Sequence, residues 1–433
     1  MATALRNPDL VRTLDQQDGL YTVLERGPAQ TRVEVVGTLR ETLFAPESGA
    51  ALDRAFADPK IRIVTLTVTS SGYSVDATGR LDAESPAIQD DLRSERPSSA
   101  IGLLTRGLAT RRDSGGAPPV ILSCDNLASN GRVLQQACVD YASLQDDALA
   151  TWIGSAVQFP ATMVDRIVPA TTDEDRAFAA RALGLKDWVP VSAEPFSQWV
   201  IERFDGPRPR WDAVGAEYVA DVAPWEASKL RLLNGGHLAV AYLGLLAGCS
   251  TVSEALAQPV FGDFALQFMV DEQKPTLPPS DHDIEAYARQ LLARWRNGGI
   301  VHPLQRIGRD GGAKLSGRLL SSLQDNLAVG RPAPCTTLAV AAWMLCVTQD
   351  DAAGQPLLDD ETVDAFRAMR RAFGDDVRGW VDAALEVRGV FGDELPRDPT
   401  FAASLAAAIV DLRRHGPLGA MQACRDRGAA PAS

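Results

Sequence analysis

Apolar and polar positions follow two different rhythms along this chain, and the change falls near residue 222. In the first part, short apolar runs bounded by polar turns predict strands. "IRIVTLTV" (61–68) is a β-branched run, and "PPVILSC" (118–124) is a short apolar run after a Gly/Pro turn. The second suits a strand buried on both faces of a parallel sheet. "TMVDRIV" (162–168) and "WVPVSAE" (188–194) predict two more strands. Between them, "RVLQQACVDYASLQ" (132–145) has helical spacing, and "DEDRAFAARALG" (173–184) reads as a helix opened by acids and closed by glycine. Strands alternating with helices predict an α/β domain with a largely parallel sheet over 1–222.

From Pro224 onward the apolar positions recur at helical spacing and strand patterns are scarce. The segments 226–247, "DIEAYARQLLARWRNGG" (283–299), "TTLAVAAWMLCVT" (336–348), "DDETVDAFRAMRRAFG" (359–374) and "FAASLAAAIVDLRRHG" (401–416) each predict a helix. An all-α domain is therefore expected over 223–433. The tail "RGAAPAS" reads as disordered, and no internal repeat is visible.

One helix departs from the pattern. "PWEASKLRLLNGGHLAVAYLGLLAG" (224–248) is mainly leucine, alanine and valine, yet carries Glu226, Lys229, Asn234 and His237. At about 100° per residue, with Lys229 at zero, Glu226 falls near about 60°, His237 near about 80° and Asn234 near about 140°. All four share one face. Gly235 and Gly236 cost about 1 kcal/mol each relative to alanine in a helix, so something is expected to approach the backbone closely there. A surface helix with a chance polar face is one reading. The other is a base with oxyanion donors. A lysine in apolar surroundings has its ammonium form disfavoured and can act as a general base. Asn234 can donate to an alkoxide or carbonyl oxygen, and His237 can hold the same oxygen. Such a set suits proton removal from a secondary alcohol coupled to hydride transfer, with no metal.

Two further groups carry chemistry. "SCDNLASNG" (123–131) follows the buried strand, and ligands bind at the carboxyl ends of strands in open α/β sheets. Asn126 is either an amide presented to a substrate or ordinary turn chemistry. Asp165 beside Arg166 in "FPATMVDRIVP" (159–169) is either a polar site residue or half of a structural ion pair. In "HPLQRIGRDGGAKL" (302–315), Arg306 and Lys314 straddle an Asp-Gly-Gly turn that is not a phosphate-binding loop, because no serine or threonine follows the lysine. Two cations there suit hydroxyls or a carboxylate; taken alone, the segment reads as a solvated turn.

Composition narrows the classes. The 433 residues are 45% apolar and 23% charged, enough for two or three domains with cores. A net charge of -13 argues against nucleic acid and anionic membranes as partners. No apolar run reaches the roughly 18 residues of a membrane span. The start has no basic region followed by an apolar core, so no secretory signal is read and a cytoplasmic location is expected. The six cysteines are scattered without a CxxC pair and read as free buried thiols, while the four histidines form no metal-ligand cluster. Lysine is rare. Only Lys60, Lys186, Lys229, Lys274 and Lys314 occur, so one kept inside an apolar helix is a candidate for a lysine that must lose its proton.

Taken together, these blocks resemble the polyol-specific long-chain dehydrogenases, the family of mannitol 2-dehydrogenase and fructuronate reductase. The signature K-x4-N-x2-H stands as Lys229, Asn234 and His237, and "QDGLYTVLERG" (17–27), "CDNLASNG", "FPATMVDRIVP", "EPFSQWVIE" (194–202) and "DGGAKL" follow in family order. The resemblance implies a Rossmann-type domain followed by a helical domain. It implies an NAD- or NADP-dependent, metal-free oxidoreductase that acts as a monomer on a small sugar alcohol or sugar acid. It assigns Lys229 as acid/base, Asn126 and Asn234 as oxyanion donors, His237 as a substrate-placing group and Glu226 as a proton relay. Asp165, Arg306 and Lys314 match substrate-contacting positions. On the cofactor side it points to Asn126, to Asp9 near the adenosine ribose, and to Ser70 at the cofactor edge.

Two departures accompany it. The glycine-rich G-x-G-x-F loop that receives the pyrophosphate has no counterpart after any strand, so the first β-α unit is expected to be missing. In "TVTSSGY" (67–73), Ser70 and Ser71 stand where the family commonly has glutamate and lysine. The alternative expectation is a truncated, non-catalytic relative that binds a sugar acid or a partner without cofactor.

Overall fold

The computed structural model describes residues 1–351 and 354–428, so the last five residues of the tail read as disordered lie outside the described residues. The chain divides into two compact units, Met1–Ala223 and Pro224–Ser433.

The first unit carries ten strands: β1 (Ala2–Ala4), β2 (Tyr21–Arg26), β3 (Thr31–Val36), β4 (Thr42–Phe44), β5 (Ile63–Leu66), β6 (Val120–Ser123), β7 (Thr162–Asp165), β8 (Val191–Ala193), β9 (Gln198–Glu202) and β10 (Ala216–Val219). Four pairings are parallel: β1 with β4, β2 with β8, β5 with β6 and β9 with β10. The β2–β3 hairpin and the β7–β9 pair are antiparallel. The apolar runs at 61–68, 118–124, 162–168 and 188–194 became β5, β6, β7 and β8.

Successive side chains of a strand point to opposite faces, and β6 uses both. Ile121 packs with Leu104, Leu108, Leu134 and Cys138 from the helices Ala100–Asp113 and Asn130–Ser143. Val120 and Leu122 pack with Ile201 and Phe204. Burying each such side chain stabilises the fold by about 1.5–3 kcal/mol. The buried Arg111 guanidinium donates to the carbonyls of Asp58 (2.7 Å), Ile61 (2.9 Å), Ala117 (3.2 Å) and Phe56. It thereby ties the helix Ala100–Asp113 to the turn that enters β5, and its charge is compensated by carbonyl oxygens.

The second unit is helical. Its centre is the helix Pro334–Thr348, in which every residue from Cys335 to Val347 is buried. A helix apolar on all sides must be wrapped by others. It shares its core with the helices Gly235–Leu246, Ile284–Trp295 and Pro399–Gly428. The last of these is kinked at Gly416 (φ 67°), followed by Pro417. The expected helix 401–416 therefore ends where its glycine suggested, and a further helical segment follows to Gly428. Among the described residues no helix is long and apolar enough to cross a membrane. All six cysteines are free; Cys335 and Cys424 place their sulfurs 3.5 Å apart in the core.

Candidate active site

The polar face at 226–237 is not carried by one regular helix. An α-helical turn, Ala223–Ser228, leads into a π-helical turn, Lys229–Asn234, and α-helix resumes at Gly235. The Gly235 N–H reaches back to the Leu230 carbonyl, five residues earlier. The placement of Lys229 and Asn234 about 140° apart, which assumed 100° per residue throughout, is corrected by this. A turn closed by i→i+5 bonds brings residues five apart towards the same side, and Lys229 and Asn234 are five apart. Glu226, Lys229, Asn234 and His237 are all half-buried.

Two other π-helical turns, Phe268–Gln273 and Ser316–Leu320, pack beside this one. Gly235 sits where they meet. A Cβ there would lie 2.5 Å from the Arg318 carbonyl oxygen and 3.5 Å from the Phe268 ring. A Cβ on Gly236 would lie 2.7 Å from the Trp295 ring. The close approach expected from the two glycines is therefore made by the protein's own backbone and a tryptophan. That packing offsets the roughly 1 kcal/mol each glycine costs in a helix.

His237 stacks on Trp295 with ring centroids 4.7 Å apart and planes at 29°, and His302 lies 5.9 Å away. The residue retains some exposure, but its Nε2 is enclosed and has no hydrogen-bond partner among the described residues. Enclosure first, then the positive charge of His302, Arg294 and Arg318, pulls the imidazole down to about 3. The folded value lies below the unfolded one. The stability this group contributes is therefore complete above about pH 6.5 and is lost as pH falls towards about 3, at up to about 1.4 kcal/mol per pH unit. Urea unfolding between pH 7 and pH 4 should show a shallower loss of stability in His237→Gln than in the wild type. Equal slopes would mean the imidazole is solvated in the folded protein.

The segment 304–320 corrects a second expectation. Residues 310–312 are not a solvated turn. Asp310, at φ 52°, starts the short helix Gly311–Leu315, and both glycines are buried. A Cβ on Gly311 would lie 2.6 Å from both the Tyr242 hydroxyl and Trp343 Nε1. Gly312 N–H and Trp343 Nε1 donate to Asp360 Oδ2 at 3.0 and 3.1 Å. The Thr362 N–H and hydroxyl occupy Asp360 Oδ1 at 2.9 and 2.7 Å. Arg306 is exposed on Leu304–Gly308. Lys314 is half-buried and donates to the Arg309 carbonyl. Burial first, and then Arg318, lowers its proton affinity.

In the first unit the carboxyl ends of β5 and β6 lead into the segments 67–73 and 124–129. Buried Asp125 joins them. Its carboxylate accepts from the N–H groups of Val68 (3.0 Å) and Thr69 (2.8 Å) and from the Tyr73 hydroxyl (2.9 Å). Thr69 is held at φ 64° and ψ 163°. For a β-branched residue that conformation costs about 1–3 kcal/mol and persists only where the surroundings impose it. Buried Asn130 donates to the Asp125 (3.0 Å) and Thr162 (2.8 Å) carbonyls and accepts from Thr162 N–H (3.0 Å). A Cβ on Gly131 would collide with the backbone at 159–161, so the helix Asn130–Ser143 begins pressed against the entry to β7. This frame fixes the loop that exposes Asn126 and the turn that exposes Ser70.

Asp165 is buried at the end of β7. Its neighbour Arg166 is ion-paired with Glu25 at 2.8 Å and donates to the Glu194 carbonyl at 3.0 Å. Asp9 lies exposed in the first turn of Pro8–Gln16, 3.5 Å from Arg12. Lys274 pairs with Glu285 (2.8 Å), Lys186 lies over the Trp188 ring (3.2 Å) and Lys60 is exposed, which leaves the half-buried Lys229 and Lys314 as the lysines of interest. Among the described residues no group of acids, histidines and cysteines has the arrangement of a metal site.

Sequence reasoning missed Asp125, Asn130, Trp295 and Arg318. The first two stood beside Asn126 in "CDNLASN" and were legible only as loop composition. Trp295 occupies an ordinary apolar helix position, and nothing local marks it.

Comparison with known proteins agrees with this fold. The mannitol dehydrogenase Rossmann domain matches residues 2–213, and the mannitol dehydrogenase C-terminal domain matches residues 221–413. An oxidoreductase of Escherichia coli, YeiQ, is 41% identical over 94% of this chain and 84% of its own length. The D-mannonate oxidoreductase of the same organism is 39% identical over 94% of this chain and 85% of its own. The structure of Pseudomonas fluorescens mannitol 2-dehydrogenase, a ternary complex with NAD and D-mannitol, superimposes with a TM-score of 0.77 at 34% identity, covering 98% of this chain and 87% of that one.

Proposed function

Because the chain belongs to the mannitol dehydrogenase family, we propose that it is an NAD(P)-dependent oxidoreductase interconverting a ketose or ketouronate with its polyol or aldonate. The observation that carries the reading is the π-helical turn. It brings Lys229 and Asn234, five residues apart, towards one side of the helix, one turn before a histidine whose enclosure disfavours its charged form.

The cofactor would be held by the first unit. Its segments 67–73 and 124–129 are exposed at the carboxyl ends of the parallel pair β5–β6, which is where open α/β sheets take their ligands. Asn126 and Ser70 stand there, and Asp9 is the candidate for the adenosine ribose. The cofactor supplies the hydride acceptor for alcohol oxidation and the donor for ketone reduction.

Residues of this chain handle the proton. In oxidation, neutral Lys229 Nζ accepts the proton of the substrate hydroxyl; in reduction, the ammonium donates it to the developing alkoxide. The Asn234 amide N–H donates to the same oxygen and stabilises its negative charge. His237, neutral across the working range, orients that oxygen by a hydrogen bond. Glu226, three residues before the lysine, carries the proton on to water. Asp165, Arg306 and Lys314 are assigned to substrate hydroxyls or a carboxylate.

Titration of the full chain with NADH, followed by quenching of tryptophan emission, tests the cofactor assignment. Saturation in the micromolar range, together with NADH-dependent reduction of D-fructose or D-fructuronate, is the expected result. Absence of binding up to millimolar NADH would replace this reading with that of a non-catalytic sugar-acid binder.

A further inference from the structure

Arg318 has no role in the assignments above. It lies on the π-helical turn Ser316–Leu320, four residues after Lys314. Its backbone carbonyl is what closes on Gly235, between Asn234 and His237. The guanidinium is half-buried, and among the described residues it makes no ion pair and donates no hydrogen bond. Nor does Lys314 have an ion pair among them; its one hydrogen bond goes to a carbonyl.

The nearby acids do not neutralise this pair. Asp360 is buried and taken up by Gly312, Trp343 and Thr362. Asp310 is exposed at the start of the helix Gly311–Leu315. The positive charge of Arg318 is felt at Lys314 and at His237, whose proton affinities it lowers, so all three groups share one neighbourhood. Two like charges four apart on a helix repel, and withdrawing a guanidinium from water without a counter-charge is unfavourable. An arrangement of two cations that costs energy in the free protein is complementary to an anion. Arginine's fork matches a carboxylate in bidentate geometry.

We propose that Arg318, with Lys314 one turn earlier, binds the carboxylate of the substrate, so that this chain selects a sugar acid over the corresponding neutral polyol. The proposal rests on the reading of Lys229 and Asn234 given above, because it places the carboxylate beside that reaction centre. Arg318 is a specificity residue in this account, and Arg306 remains available for hydroxyls.

The test is calorimetric binding of D-mannonate and of D-mannitol to the full chain in the presence of NADH, repeated with Arg318→Gln and Arg318→Lys. The two ligands differ in a carboxylate against a hydroxymethyl group. The wild type should prefer the acid. Arg318→Gln should weaken acid binding by about 10- to 100-fold, the effect of losing a charge-assisted hydrogen bond, and the acid-over-alcohol preference should collapse to about one. Arg318→Lys should restore part of it. Equal weakening of both ligands, an unchanged preference, or no acid binding by the wild type would overturn the proposal. So would competition by inorganic phosphate at equal concentration, which would assign the pair to a phosphate-bearing ligand. Arg318-dependent acid binding without turnover would leave this inference standing and sink the oxidoreductase reading. Ketose reduction without acid binding would do the reverse.

Discussion

Replacing Lys229 with alanine is expected to lower kcat for ketone reduction by about 10²–10⁴, the range in which a positioned acid/base acts. The argument is local. Lys229 opens the π-helical turn, is half-buried, and is followed as far as Leu246 by no lysine, arginine, aspartate or glutamate other than Arg231. Arg231 itself is engaged, donating to the Thr276 carbonyl (2.6 Å) and pairing with Asp325 (2.8 Å). No second lysine on this segment can take over. Steady-state rates at neutral pH decide the matter, and addition of a primary amine should recover part of the lost rate at the alanine variant. A variant that keeps the full rate would sink the assignment of the proton-transfer group.

Asn234→Ala carries the second large effect, about 10²–10³ in kcat with a smaller change in KM. An amide that donates to the reacting oxygen gains most when that oxygen becomes negative, so its loss falls on the transition state more than on ground-state binding. Asn234 closes the π-helical turn that Lys229 opens, and the two should act as a unit. The double variant should therefore be little slower than the slower single one. Additive losses would show that the two groups act on different steps, and a KM effect alone would move Asn234 from charge stabilisation to substrate binding.

How much of this was legible beforehand depended on how local the cause was. The strands β5 to β8 could be read because each is a short apolar run, and for β6 the reason is visible in the burial of Ile121 on one face and Leu122 on the other. The β2–β3 hairpin was not proposed as strands. "TRVEVV" keeps only partial burial along its length, with no continuous apolar run to mark it. The polar set at 226–237 was legible because it interrupts leucines and alanines. Its geometry was not, since hydrophobic spacing records which faces are apolar and says nothing of one residue added to a turn. The glycines at 235–236 signalled a close approach correctly. The identity of what approaches, the Arg318 carbonyl and the Trp295 ring, comes from segments about 60 to 80 residues further on, beyond the reach of any local rule. For the same reason Asp125 and Asn130, which hold the loops at the ends of β5 and β6, could be named only once the strands beside them were in place.

The π-helical turn also sets a rule for what this helix tolerates. An α-helix advances about 100° per residue, so one added or deleted position swings everything beyond it by roughly that angle. Between Lys229 and His237 the phase is already offset by a widened turn, and Gly235 is wedged between two neighbouring backbone and ring surfaces that do not move with it. Side chains on the outer surface of 229–237, such as exposed Leu230, can vary in kind at little cost. The number of residues cannot. A single deletion in this stretch would turn the turn back into ordinary α-helix, carry His237 away from Trp295, and leave the lysine and the histidine facing different directions in a protein that still folds. Chain length here acts as a catalytic parameter, with the helix serving as a ruler whose divisions are single residues.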